Sequence, residues 1–264
     1  MTAAATPQAR SLAPRRHAEI LRRIAADGSV GVSELADFFD VSRETIRRDL
    51  KLLADRGRVD IVHGGAEGRQ ASEPALDRRA SENAEGKSAI AHTAAGLVED
   101  GMVVLLDSGT TTLALAHALV DKRGLTICTG SLAIALLLCR APEARIHMLG
   151  GEIDPREEAT TGIDAIEAIS RFRVDVAFIG GGGLSPDGEI TDYSRAGAEQ
   201  RAHMIAAASR AFFLVDQTKF GRLTPIRIPH FQTASGVIVD APPPLSIIEH
   251  LARKGLRLIV AGET

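Results

Sequence analysis

Four cations, Arg43, Arg47, Arg48 and Lys51, fall within nine residues, beside the hydroxyls of Ser42 and Thr45. A guanidinium is a planar fork that suits bidentate contact with a guanine edge, whereas hydroxyls and the free N–H groups of a helix start suit phosphate oxygens. A second set of candidates lies in three polar loops. In Leu106-Asp-Ser-Gly-Thr-Thr-Thr-Leu113, backbone N–H groups, hydroxyls and a helix dipole converge on a place for an anion. The glycines of Leu149-Gly-Gly-Glu152 permit close backbone approach, and Val215-Asp-Gln-Thr-Lys-Phe-Gly221 adds a cation, Lys219, after a strand-like run. Each group also has a plainer reading: a solvated basic helix face, an N-capping loop that binds nothing, and a surface lysine.

The elements that must position the cations are helical. From Pro14 the residues Ile20, Leu21 and Ile24 share one face of a first helix that ends at Gly28. Ser33 is expected to N-cap a short second helix over residues 34–39, with Leu35, Ala36 and Phe39 inward. Asp40-Val41 makes a tight turn, and Ser42 caps a third helix to about Ala54, with Gly57 beyond it. On that helix Ile46, Leu50 and Leu53 fall within a sector of about 60°, and the four cations spread over the neighbouring ~140°. A short helix, a tight turn and a basic helix are the parts of a helix-turn-helix, whose second helix enters the major groove. The stretch Gly57-Arg-Val-Asp-Ile-Val-His-Gly-Gly65 then supplies two extended pieces for a hairpin wing.

Residues 67–82 are poor in apolar side chains, mixed in charge, and read as a linker. From Lys87 apolar runs at 102–107, 125–128, 145–149, 174–180, 211–216, 236–240 and 256–260 alternate with helical patterns. Runs this apolar mark strands buried on both faces, so a mostly parallel sheet flanked by helices is expected. The glycine run of Ile179-Gly-Gly-Gly-Gly-Leu-Ser-Pro-Asp-Gly188 does not fit a dinucleotide fingerprint, because Pro186-Asp-Gly turns and Glu189-Ile-Thr is extended.

Length and composition set bounds on this reading. The chain has 264 residues, enough for two domains, with 45% hydrophobic and 25% charged residues, values of a folded globular protein. The longest apolar run, residues 132–139, is far short of the ~20 that span a bilayer. No secretory signal is visible at the start, so a cytoplasmic location is expected. Cys128 and Cys139 lack metal-ligand spacing and are expected as buried, reduced thiols; no metal or other cofactor is expected. The net charge of −3 argues against general nucleic-acid coating, but it is uneven: residues 10–70 carry 12 Lys/Arg against 10 Asp/Glu, and residues 71–264 carry 19 against 24.

The front segment, Arg16-His-Ala-Glu-Ile-Leu21, Val32-Ser-Glu-Leu-Ala36, Val41-Ser-Arg-Glu-Thr-Ile-Arg-Arg-Asp-Leu50 and Val62-His-Gly-Gly-Ala66, resembles the winged helix-turn-helix of DeoR-family transcriptional regulators. The set of DNA contacts expected is Ser33, Ser42, Arg43, Thr45, Arg47, Arg48, Lys51 and, in the wing, His63. The rear segment resembles the family's effector domain in order and spacing: Asp107-Ser-Gly-Thr-Thr111, Gly150-Gly-Glu152, Asp175 with Phe178-Ile-Gly180, Asp187-Gly188, and Asp216-Gln-Thr-Lys-Phe-Gly221. The resemblance covers about residues 14–260 and implies an α+β two-domain chain: a DNA-binding domain at 14–66, the linker at 67–82, and an α/β domain at 83–261 similar in fold to ribose 5-phosphate isomerase. It further implies that Asp107, Ser108, Gly109, Thr110 and Thr111 surround a phosphorylated metabolite, that Gly150 and Gly151 line it, and that Lys219 meets its phosphate. One departure is Thr129-Gly-Ser131, where the family often has Thr-Asn-Asn or Thr-Asn-Ser, so an amide contact is missing. Lys219-Phe-Gly-Arg222, Asp192-Tyr193 and Asp240-Ala-Pro-Pro-Pro244 resemble the subgroup that responds to glycerol 3-phosphate. The expectation is a regulator of operator DNA, most simply a repressor, acting as a homodimer or homotetramer without a membrane. The rival is an isomerase-like enzyme tethered to DNA.

Overall fold

Pro at a helix start and isoleucines four residues apart give a first helix, and in the computed structural model it is α1, Ala13–Asp27, with Ile20 and Ile24 buried. The structure describes residues 13–27, 29–55, 58–62, 64–68 and 76–262. The chain divides into two units, Met1–Ser72 and Glu73–Thr264.

In the first unit β1, Ser29–Gly31, is followed by α2, Val32–Phe39, α3, Arg43–Asp55, β2, Val59–Val62, and β3, Gly65–Gly68. The strands form an antiparallel sheet in the order β1-β3-β2. Asp40 takes the left-handed turn conformation at φ 51°, and Ser42 Oγ accepts the Thr45 N–H at 3.1 Å, which starts α3 where the sequence predicts. Leu35, Ala36 and Phe39 pack with Ile46, Leu50 and Leu53 in one small core closed by Val59 and Ala66 of the wing. Ser33 is not the cap of α2: the helix starts two residues earlier than expected, at Val32, with Gly31 as its cap. The reason is the wing, since β1 pairs with β3 up to Gly31 and the Val32 N–H is satisfied by the Gly64 carbonyl at 2.9 Å. Gly65 is obligatory here, because a Cβ would overlap the Val30 carbonyl oxygen. Gly28, Gly57 and His63 lie outside the described residues.

The second unit begins with α4, Leu76–Ser81, inside the stretch expected as linker, where the buried Leu76 and Arg79 give a short polar segment two anchors. Then come α5, Ala84–Ala95; β4, Val103–Leu106; α6, Thr110–Ala118; β5, Thr126–Thr129; α7, Leu132–Leu138; and β6, Arg145–Met148. A hairpin of β7, Glu152–Asp154, and β8, Ala159–Thr161, leads to α8, Ile163–Ser170, and β9, Val174–Ile179. The remaining elements are β10, Gly183–Leu184; β11, Ile190–Asp192; α9, Arg195–Ala207; β12, Ala208–Leu214; β13, Ile226–Arg227; β14, Gly236–Val239; α10, Leu245–Arg253; and β15, Arg257–Val260.

The seven apolar runs become one parallel sheet in the order β15-β14-β12-β9-β4-β5-β6. One face packs against α5, α6 and α7 through Ile90, Leu115 and Ile134, the other against α8, α9 and α10 through Ile169, Met204 and Leu251. Asp175, the exposed residue of β9, accepts the Val103 N–H at 2.8 Å and so locks β4 beside it. The order reverses between β4 and β9, and a doubly wound sheet opens a crevice at the carboxyl ends of such a pair. Cys128 is buried on β5, where burial pushes its thiol up to about 11. Cys139, expected buried, is exposed, because it follows α7 just past the last inward residue, Leu138. Among the described residues no helix is long and apolar enough to cross a membrane, and no three His, Cys, Asp or Glu are grouped to hold a metal ion.

Candidate nucleic-acid interface and effector cleft

On α3 the buried side faces the core and Arg43, Arg47, Arg48 and Lys51 are exposed. A groove runs between α3 and the wing, lined by Ser33, Arg43, Arg47 and Lys51 on one side and by Ile61, Val62 and Gly64 on the other. Arg48 stands outside that groove with its side chain 81% exposed, next to Glu44 at 3.7 Å. Thr45 is half-buried and its hydroxyl lies 2.9 Å from Ser42 Oγ, so these two residues build the helix start. The inner side of α3 carries a residue that the sequence reading passes over. Asp49 is buried and accepts from Arg16 Nε at 2.6 Å and from His17 Nε2 at 2.8 Å, both on α1. A carboxylate on the apolar side of a basic helix was the available signal; its partners, more than thirty residues away, were not.

In the second unit the crevice at β4 and β9 holds a tight, polar cleft of about 30 Å³. Gly109, at φ 133°, lets the chain turn out of β4, and α6 starts at once, so Ser108, Gly109, Thr110, Thr111 and Thr112 line the cleft with the helix N-terminus. Thr112 donates its hydroxyl to the Gly109 carbonyl at 3.0 Å. Lys219 reaches the same cleft from the 3₁₀ turn after β12, whose first N–H is capped by Asp216: its carboxylate accepts from the Thr218 N–H at 3.1 Å and hydroxyl at 2.7 Å.

Asp107 is a strut beneath the turn and does not line the cleft. One of its oxygens accepts the Ser108 N–H at 2.8 Å; the other accepts from Gly180 N at 2.9 Å and Arg201 Nε at 2.7 Å. Arg201 bonds Asp192 as well, so one guanidinium from α9 joins two buried carboxylates. Gly150 and Gly151 are also absent from the lining. Gly151, at φ 127°, packs against the Thr161 carbonyl, which makes this glycine pair the corner between β6 and the β7–β8 hairpin. The sequence reading missed Arg79, Glu82, Lys87, Gly180, Gly181, Arg201, Leu214 and Asp216 of the lining. For Lys87 there was a signal: it shares the buried stripe of α5 with Ile90, Ala91 and Ala94, where a charge is out of place. Burial pushes its pKa down, against the pull of Asp216 and Glu82.

Residues 16–70 match the DeoR-like helix-turn-helix domain family, and residues 82–241 match the DeoR C terminal sensor domain family. The chain belongs to the DeoR family of transcriptional regulators. Similar proteins include the glycerol-3-phosphate regulon repressor of Escherichia coli strain K12, 32% identical, covering 92% of this chain and 97% of that one. The HTH-type transcriptional repressor CsqR of the same strain is 29% identical over 94% and 95% of the two chains. Among solved structures, ribose 5-phosphate isomerase A from Methanocaldococcus jannaschii covers 54% of this chain and 57% of its own at 20% identity, with a TM-score of 0.39. In this DeoR-family chain the helix-turn-helix of the first unit is the DNA-binding module, and the α/β unit is the sensor domain.

Proposed function

We propose that this regulator is an operator-binding repressor whose sensor domain takes a phosphorylated small metabolite, glycerol 3-phosphate in the first instance, and leaves DNA when that ligand is bound. The observation that carries the ligand class is the convergence of the α6 N-terminus, the Ser108, Thr110 and Thr111 side chains and the Lys219 ammonium on one cleft. Glycerol 3-phosphate is chosen because two relatives, from E. coli and Haemophilus influenzae, are named glycerol-3-phosphate regulon repressors. On the DNA side, Arg43 and Arg47 meet base edges, Ser42, Thr45, Arg48 and Lys51 meet phosphates, and Ser33 and His63 border the contact. The DNA-binding domain is assigned to residues 14–66 and the sensor to the unit that includes α4, so residues 76–82 of the segment expected as linker go with the sensor. One winged domain contacts few base pairs, so a homodimer reading two half-sites, or a tetramer of such dimers, is the working assembly.

Turnover of the ligand is disfavoured by the site's own bonding. Enediol isomerisation needs a carboxylate free to take a proton. Asp107 is held by Arg201 and two N–H groups, and Asp216 by Thr218. Glu82 also lines the cleft, and on this reading it serves binding and not proton abstraction.

A gel-shift titration with promoter DNA tests the reading. Glycerol 3-phosphate is expected to release the complex, by a coupling of about 1–3 kcal/mol, and to raise the melting temperature of the DNA-free protein. A panel of sugar phosphates that neither shifts the melt nor releases DNA would reject the sensor assignment; steady product formation from any of them would establish the enzyme instead.

A further inference from the structure

The α5 helix buries one charge. Lys87 is 5% exposed, and its ammonium, which has three N–H groups, donates to the carbonyl oxygens of Arg79, at 2.6 Å, and Glu82. Neither acceptor is charged: the Asp216, Glu82 and Asp240 carboxylates act on this cation through space, but its hydrogen bonds go to neutral carbonyls. It lines the same cleft as the α6 N-terminus and Lys219. The two carbonyls belong to the end of α4 and the turn after it, and α4 is fastened a second time by the Arg79–Glu157 ion pair at 2.7 Å, Glu157 lying between β7 and β8. Lys87 therefore touches both the ligand space and the first described element of the sensor unit.

We propose that Lys87 is a ligand-binding and positioning residue, whose remaining N–H donates to the phosphate of a bound phosphate monoester, so that filling the cleft fastens α4. This rests on the reading that the cleft takes a phosphorylated metabolite. The ligand oxygen gives the ammonium its third acceptor, and the carbonyls of Arg79 in α4 and of Glu82 just after it are held to a cation that no longer moves. In the empty cleft the same two bonds form without the third, and α4 opens more often.

Hydrogen–deuterium exchange on the full chain tests this, with inorganic phosphate, glycerol 3-phosphate and a hexose phosphate as probes and glycerol as the phosphate-free control. In the wild type, peptides covering α4 and the start of α5 are expected to exchange more slowly with a phosphate probe and unchanged with glycerol. Lys87→Met is expected to bind the probe roughly 10- to 100-fold more weakly by titration calorimetry, and its α4 to exchange faster even without ligand. Lys219→Met is the comparison: it loses probe affinity while α4 of the ligand-free protein keeps wild-type exchange. If none of the three phosphates binds the wild type, the sensor reading falls and this proposal with it. If a phosphate binds and α4 exchanges as before, or if Lys87→Met binds as tightly as wild type, the sensor reading stands and the role of Lys87 is overturned. Should Lys87→Met not fold, the wild-type exchange with and without phosphate decides alone.

Discussion

Asp49→Asn asks whether one buried carboxylate holds the recognition helix to its support. Asp49 accepts from Arg16 Nε at 2.6 Å, from the second Arg16 nitrogen at 3.1 Å and from His17 Nε2 at 2.8 Å, and the Arg16 side chain is only 10% exposed. Burial by itself pushes the carboxyl pKa up, but the hydrogen bonds from Arg16 and then His17 outweigh it and hold the pKa below its usual value. Asparagine keeps the volume and one acceptor while removing the charge that compensates Arg16. Removing one partner of a buried pair costs about 3–5 kcal/mol, and a charge-assisted hydrogen bond is worth about 1.5–3 kcal/mol; the retained acceptor places the loss near 2–3 kcal/mol. That is a large share of the stability of a unit this small, at about 0.05–0.15 kcal/mol per residue. The chain has no Trp and a single Tyr, in the sensor unit, so hydrogen exchange followed on peptides of α1 and α3 is a better readout than fluorescence. Amides there are expected to exchange roughly 30- to 150-fold faster, while those of the sheet in the sensor unit stay unchanged. The folded pKa is depressed, so the stabilisation is present above the unfolded value of about 3.9 and is lost as pH falls through the lower folded value. The gap between wild type and variant must therefore narrow below about pH 4. Wild-type exchange in α1 and α3 of the variant at neutral pH would refute the reasoning.

Three further outcomes follow from the same geometry. Gly65→Ala forces a Cβ onto the Val30 carbonyl and is expected to lower stability by about 1–3 kcal/mol and weaken operator binding; an unchanged thermal midpoint counts against it. Arg48→Ala is expected to lower affinity for all sequences and the salt slope by about 1, whereas Arg43→Ala flattens preference at one base position by about 1–3 kcal/mol, both read by competition binding at several salt concentrations. Arg201→Met leaves Asp107 and Asp192 buried without their cation, so the sensor unit loses about 3–5 kcal/mol in a urea titration followed by circular dichroism, while exchange in α1–α3 is unaffected.

The parts legible in the sequence were those governed by local pattern. Val174–Ile179 and the other inner strands β4, β5, β12 and β14 are largely buried, so each is a nearly unbroken apolar run that a central strand explains, while the edge strands β6 and β15 are partly exposed. The third helix of the first unit was equally open, since Ser42 marks its start and Ile46, Leu50 and Leu53 its inner face. What stayed hidden depends on residues far apart in the chain. The start of α2 is set by the Gly64 carbonyl, thirty-two positions beyond Val32, and so Gly31 rather than Ser33 became the cap. Strands of two or three residues such as β10 and β13 carry no periodicity to read. In the sensor, the loops after β4 and β12 share the cleft and the Gly150-Gly151 corner does not line it, because whether a residue faces the cleft or braces it is decided by its partner. Asp107 turned inward because Arg201, ninety-four positions later, meets it there.

The reversal of strand order between β4 and β9 also fixes a sequence of events during synthesis. Val104 pairs with Ile127 on one side and waits for Val176 on the other, and Lys219 emerges later still. The first unit, with its own core, is complete more than a hundred positions before the cleft has its second wall, and domains made first fold first as the chain leaves the ribosome. A nascent chain, or one cut short by a stop codon anywhere between β3 and β9, thus carries a complete helix-turn-helix unit without the cleft. Alleles of that kind are expected to compete for half-sites only weakly, because a single winged domain contacts few base pairs, whereas stops before α3 should be silent.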